Sequence, residues 1–317
     1  MKRIFSVLLV IAAICVWSVA AFGAPIFVNI GTGSTGGTYY PVGSAMATIW
    51  NKVIPDMRAA SQSTGGTTQN IQLMQSGETE TGFTDGLYYF AYHGRQAFEG
   101  NAQTFLRGML PLYPEPIHLI AAENSGIKSV KDIKGKRVAI GAVGSGIEAT
   151  CRALLKDVLG IDPDKDVNAQ NLGMSESASA LADKNIDVAF MMGGIGSAAV
   201  VEVVTLGTGY LIPLEDDVVE GLHKALPYYS AFAIPSNSYK DQAEPLKTAA
   251  TWNILSVHEK LEDNVVYAMT KALFDNKPEL VNVAAVMRFM DASEVGVIQI
   301  PLHPGAEKYY KEIGAVK

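Results

Sequence analysis

Cysteine is almost missing from this chain: Cys15 and Cys151 are the only two in 317 residues. Cys15 falls in a segment expected to be removed, so Cys151 stands alone and an intrachain disulfide is excluded. Histidine is scarce as well. His93, His118, His223, His258 and His303 show neither H-x-x-x-H nor H-E-x-x-H spacing, so each reads as a surface or packing residue and no metal site is expected. A G-x-S-x-G elbow is lacking, because Thr32 and Val143 stand where its first glycine would be for Ser34 and Ser145. Carboxylate pairs such as Asp216-Asp217 fall in polar turn sequence and read as solvated. No nucleophile, base and orienting group are specified together, so the chain is not expected to be an enzyme and no catalytic residue is assigned.

Positive charge is also in deficit, with 25 basic against 32 acidic residues. Lys2 and Arg3 open the chain, residues 4–19 form an apolar run, and small residues follow at Ala20, Ala21, Gly23 and Ala24. That order is the pattern of a secretory signal peptide. The apolar run of 16 residues is shorter than the roughly 20 a membrane-crossing helix needs. Cleavage is expected after Gly23, making residues 1–23 the signal peptide. Ile14 before Cys15 is branched where a lipid-modified cysteine wants a small neighbour. Cleavage takes away two basic residues and no acidic one, leaving a net charge of −9 on 294 residues. An acidic surface argues against nucleic acid and anionic lipid as partners. The remaining length suffices for two lobes with ordinary cores.

The exported part alternates short apolar runs with helical periods, an α/β pattern. Strands are expected at 26–30, 58–62, 81–84, 117–122, 137–142, 186–192 and 229–234. Val42, Met46, Ile49 and Val53 recur at helical spacing, as do Ile147, Cys151, Leu154 and Val158, the latter ending at Gly160. Ile71 and Met74 mark a further helix after the loop at 63–67. The C-terminal third reads as mainly helical, with Val265, Met269 and Leu273 on one helix and 280–290 as another. No repeat or low-complexity linker appears. Two lobes are therefore expected to share the chain by crossover strands near Pro116 and Tyr229, with residues 24–116 and 230–317 as lobe I and 117–229 as lobe II. Such crossings make a natural hinge.

The most informative segment is Gly31-Thr32-Gly33-Ser34-Thr35-Gly36-Gly37-Thr38-Tyr39-Tyr40-Pro41, which follows a strand and opens a helix. Unpaired backbone N–H groups and the positive end of the helix dipole collect at such a start. Gly33, Gly36 and Gly37 allow an anion close to the backbone, while Ser34, Thr35, Thr38 and Tyr39 add hydroxyls. This is a seat for a carboxylate. Gly31, Gly33 and Gly36 also satisfy G-x-G-x-x-G, with Asp56 at a suitable distance for a ribose. A secreted Rossmann-like oxidoreductase is thus the rival reading, although a dinucleotide would have to be loaded before export and the leader has Lys2-Arg3 in place of a twin arginine. A surface-exposed interaction protein is a third. A second glycine loop, at 141–146, presents Ser145 and Gly146 at another helix start. Two opposed seats imply a small anionic organic solute clamped from both sides. Glu148, in that helix's first turn, either touches the solute or merely compensates the dipole. Further loops at strand ends supply Thr64, Thr84, Asp85 and Gly193. Asp85 could counter an ammonium, or simply form an Asp-Gly turn. Tyr228, at the second crossing, stands where it could close over the cleft, with core packing as the competing reading.

The chain resembles the TAXI branch of solute receptors for TRAP transporters. The matching stretches are Gly31 to Pro41, Ser129-Val-Lys-Asp-Ile-Lys-Gly-Lys-Arg-Val138, Gly144-Ser-Gly-Ile-Glu148, Thr270-Lys-Ala-Leu-Phe274 and Ile300-Pro-Leu-His-Pro-Gly-Ala306. The resemblance implies a monomeric periplasmic receptor of the type II periplasmic binding protein fold, with the ligand cleft between its lobes. It implies small and large membrane subunits, separate or fused, as partners, and glutamate or a related dicarboxylate as ligand class. No cofactor is implied. Around Thr84-Asp85-Gly86 the chain departs from the Gln-Ser-Asp type of loop common in the family, which bears on ligand identity.

Overall fold

A computed structural model describes residues 24–317; the signal-peptide expectation for 1–23 lies outside the described residues. The chain builds strands and helices in alternation as far as residue 234. The order is β1 (Ile26–Gly31), α1 (Tyr39–Val53), β2 (Met57–Gln62), α2 (Thr67–Ser76), β3 (Thr81–Thr84), α3 (Leu87–His93), β4 (Leu106–Ala122), β5 (Arg137–Ala139), α4 (Gly146–Ala153), β6 (Asn168–Gln170), α5 (Met174–Ala182), β7 (Val188–Met192), α6 (Ala198–Leu206), β8 (Gly209–Ile212), α7 (Asp216–Ala225) and β9 (Ser230–Ile234). Then come β10 (Leu246–His258), α8 (Asp263–Asp275), α9 (Lys277–Val283) and α10 (Pro304–Glu312).

Among the described residues the strands hydrogen-bond in the order β2-β1-β3-β10-β4-β7-β5-β6, with β8 also on β4 and β9 also on β10. Parallel pairing joins β2, β1 and β3 at one end and β6, β5 and β7 at the other. The antiparallel pair β4 and β10 connects the two groups. β4 is 17 residues long; from Leu106 to Pro116 it pairs with β10, and from Ile117 it pairs with β7 and β8. Each parallel group is flanked by its own helices and core. Val28, Ile30, Met46, Trp50, Leu110, Leu255 and Met269 pack in one, and Ile120, Met174, Leu181, Met191 and Val200 in the other. A third cluster, from Ile71 and Phe90 to Phe190 and Tyr229, runs beside the connecting pair. The architecture is a two-lobe α/β fold.

Several expectations on the elements change. β4 begins eleven residues before the expected strand, because Pro111, Pro114 and Pro116 lack an N–H for the ladder and mask it. Pro114 and Pro116 stay in register opposite Trp252 and Ala250, while the register shifts beside Pro111 at Asn253/Ile254 and again at Leu255/Ser256. β10 was not foreseen at all: nine of its thirteen residues are buried, including Thr248, Thr251, Asn253 and Ser256, so polarity does not alternate along it. The expected strand at 137–142 stops at Ala139, and the expected helix at 280–290 is broken at Ala284, whose φ of −146° is extended. Val53 is 43% exposed, and Trp50 fills the place it was expected to take in the helix's buried face. The helix through Cys151 holds to Val158 by finishing as a π turn from Leu154, and Gly160 follows at φ 65°.

One glycine shows how tightly the C-terminal motif is packed. A Cβ on Gly305 would lie 2.1 Å from the Asp263 carbonyl oxygen and 2.8 Å from the Tyr267 amide nitrogen, both main-chain atoms that cannot swing away. Gly305→Ala is therefore expected to cost about 2 kcal/mol or more by forcing α10 off α8, read as a lowered urea midpoint with unchanged slope.

Candidate functional site

Four helix starts meet at one cavity. They are Gly37, Thr38 and Tyr39 at α1, Gly66 and Thr67 at α2, Ser145, Gly146 and Ile147 at α4, and Gly173 and Met174 at α5. No side chain caps α1 or α2. Each start adds partial positive charge and N–H donors without any cationic side chain. The other walls are Gly33, Ser34, Gly65, Asp85, Glu115, Ala142 and Met192. Among the described residues, no Lys, Arg or His lines the cavity. About 50 Å³ is open to the centre of a water molecule, against roughly 10–15 Å³ for one water on that measure. A solute of a few heavy atoms fits the space as it stands.

Two carboxyl groups face this space. Asp85 is 3% exposed and Glu115 4%. The Leu87 N–H donates to Asp85 Oδ1 at 3.0 Å, and the Asp85 N–H donates to Thr67 Oγ1 at 3.1 Å. Burial pushes Asp85 up to about 6, and the Leu87 N–H together with the neighbouring Thr67 hydroxyl restrains the rise. Glu115 is worse served. Tyr39 Oη lies 2.6 Å from Asn253 Oδ1 and 3.4 Å from Glu115 Oε2; one hydroxyl proton serves the nearer acceptor, and Glu115 keeps the weak contact. Burial, reinforced by the like charge of Asp85, pushes Glu115 up to about 8.

The halves of the molecule touch around this cavity through main-chain donors, two of them on main-chain carbonyls and one on a side-chain hydroxyl. The Gln69 N–H donates to the Gly144 carbonyl at 3.2 Å, the Ala199 N–H to the Gly36 carbonyl at 3.1 Å, and the Gly194 N–H to Thr38 Oγ1 at 3.1 Å. Asp85 itself lies against α4: a Cβ on Gly146 would fall 1.6 Å from Asp85 Oδ2.

Of the residues expected at the site, Gly33, Ser34, Gly37, Thr38, Tyr39, Asp85, Ser145 and Gly146 line the cavity. Thr35, Gly36, Thr64, Thr84, Glu148, Gly193 and Tyr228 do not. Thr35 Oγ1 reaches Ser175 Oγ across the gap at 3.4 Å. Thr64 is bound to the Thr32 carbonyl and Asn70, and Thr84 to Ser256. Gly193 packs against Ser197. Glu148 accepts the Gly144 N–H at 2.9 Å and pairs with Arg152 at 3.1 Å, which is dipole and loop stabilisation. Tyr228 meets Phe90 edge-on at 5.3 Å, and its ring leaves no room for a side chain at Gly86. Asp56, the residue a dinucleotide would need, sits in the turn after α1 and is not on the cavity wall. Glu115 was missed because it lies between Pro114 and Pro116 with no loop motif to mark it. Gly173 and Met174 were missed because their helix start carries a single glycine.

A model of the NMT1-like family matches residues 30–314. Among solved structures, a protein of Bordetella bronchiseptica RB50 shares 12% identity over 91% of this chain and 98% of its own, with a TM-score of 0.51. An ancestral arginine-binding protein bound to arginine shares 13% over 82% and 97%, with a TM-score of 0.50. The alkanesulfonate-binding protein of Xanthomonas axonopodis pv. citri bound to MOPS shares 12% over 91% and 84%, at 0.48. At these identities the likeness is one of fold, that of the two-lobe periplasmic binding proteins.

Gly146→Ala is expected to drive Asp85 from α4 and to destabilise the protein by about 1–3 kcal/mol. Asp85→Ala should relieve the overlap, so that the double variant loses less than the two single changes summed. Chemical denaturation of the four proteins measures this coupling.

Proposed function

The chain belongs to the NMT1-like family, and on that footing we propose that it is an extracytoplasmic receptor that closes two lobes around a small carboxylate-bearing solute and presents it to a membrane transporter. The observation that carries this reading is the convergence of four helix starts on one small cavity lacking a basic side chain among the described residues. Backbone amides there supply a carboxylate with short, charge-assisted hydrogen bonds from groups already fixed in place. Gly33, Ser34, Gly37, Thr38 and Tyr39 offer the seat on one side and Ser145 and Gly146 on the other. We assign residues 24–116 and 230–317 to lobe I and 117–229 to lobe II, with the hinge running from the Pro116 crossing of β4 through β9 to β10. The solute favours the shut state by as much as its contacts with the two states differ. This is binding and conformational change, with no chemical step.

The matching segments from Gly31 to Pro41 and from Ile300 to Ala306 favour a TAXI receptor of a TRAP transporter, working in the periplasm with small and large membrane subunits. Glutamate or a related dicarboxylate is the ligand class that resemblance brings. No helix among the described residues is long and apolar enough to cross a membrane.

Thermal-shift screening of the exported protein against amino acids, dicarboxylates, keto acids and nucleotides tests the reading. A small carboxylate at about 100 times its Kd should add roughly 2.7 kcal/mol of stability. Gly37→Leu, which places bulk beside the Ser34 carbonyl and Met174, is expected to abolish that shift while leaving the unliganded melting temperature within a few degrees. Stabilisation by nucleotides alone would favour an oxidoreductase. Uptake in proteoliposomes that needs ATP in place of an ion gradient would remove the TRAP assignment and leave the receptor.

A further inference from the structure

The cavity offers its solute two kinds of wall. Helix starts supply positive potential, and Asp85 and Glu115 supply two buried acids. The groups facing Glu115 are Tyr39 from α1, Tyr113 on its own strand, Asn253 from β10, Asp85 from the turn after β3, and Tyr229 ahead of β9. None of them is a cation. A carboxylate shut into such surroundings costs several kcal/mol unless a positive charge joins it, and among the described residues none lines the cavity.

We propose that Asp85 and Glu115 restrict the cleft to solutes that bring a cationic nitrogen along with their carboxylate, and that a solute without one is held only when Glu115 takes up a proton. This inference rests on the receptor reading and narrows its ligand class: an amino acid is favoured over a dicarboxylate lacking the amine. The linkage takes the opened cleft as hydrated, where both acids ionise as free carboxylates do near neutral pH. Shutting it on an amine-free acid buries them uncompensated, and the burial that pushes Glu115 up to about 8 makes it accept a proton from solvent. Shutting it on an ammonium leaves Glu115 ionised, and no proton moves. The sign follows from linkage: the amine-free complex carries one more proton, so its formation weakens as pH rises while that of the amino acid does not.

The experiment compares matched pairs by titration calorimetry between pH 6 and 8: glutamate with glutarate, alanine with propionate, and the other amino acids with their amine-free counterparts. The preference for the amine-bearing member is expected to grow by about tenfold per pH unit, the slope of a one-proton difference. Repeating the titrations in buffers of different ionisation enthalpy should show about one proton taken up with the amine-free acid and close to none with its partner. Glu115→Gln should flatten the pH dependence while still melting cooperatively. Asp85→Asn, which keeps Glu115, should lower the preference and retain the slope. An amine-free acid that binds as tightly as its counterpart at pH 8, or a slope that survives in Glu115→Gln, overturns this inference and leaves the receptor standing. Failure of every member of the panel to bind overturns both.

Discussion

The antiparallel pairing of β4 with β10 is the constraint on which the molecule depends. One strand of 17 residues serves two sheets in succession, and its partner returns beside it over the stretch from Ala250 to His258. Because β4 passes from one group to the other while β10 holds its first part in place, the loops at the ends of β1, β2 and β3 are brought opposite those at the ends of β5 and β7. Glu115 rides on the same strand at the point where its pairing changes partner. The cavity is therefore a product of topology: helix starts from two separate parallel groups could not otherwise meet.

Electrostatics then gives that meeting place its character. Helix starts make a positive field from groups that cannot be titrated or rotated away. Against it stand two acids whose burial would be untenable in a neutral, purely apolar hole. Asp85 is well placed in this respect, lying against the start of α4 with the Leu87 amide on its oxygen. Glu115 is not, and the difference in their proton affinities, about 6 against about 8, records it.

Much of the first half could be read directly from the chain. The glycine loop from Gly31 to Gly37 announced a strand, a turn and a helix start, and the segment around Gly144 to Gly146 did the same. Asp85 was legible as a charge at a strand end. Other parts obeyed rules that local pattern does not carry. β10 is buried on both faces and mixes threonine, asparagine and serine with apolar residues, so it has neither alternation nor a helical period. The prolines of β4 spoke against a strand, although its pairing with β10 runs through all three of them. Thr64, Thr84 and Glu148 have the right chemistry for a binding site but spend it on other protein groups, Thr32, Ser256 and Arg152 among them, a choice fixed by side-chain direction and invisible in spacing. Glu115 belongs to the cavity only because two distant segments pack around it.

The bonds that join the halves from Gln69 to Gly144 and from Ala199 to Gly36 are main chain to main chain. Every residue type except proline as donor can make them, so substitutions in the surrounding loops leave the clasp itself in place. The wall of the cavity, by contrast, takes its character from a handful of side chains, with Asp85 and Glu115 as its two acids. Under the proposed receptor role, a few interior replacements would re-tailor what the cavity accepts while the clasp is inherited unchanged.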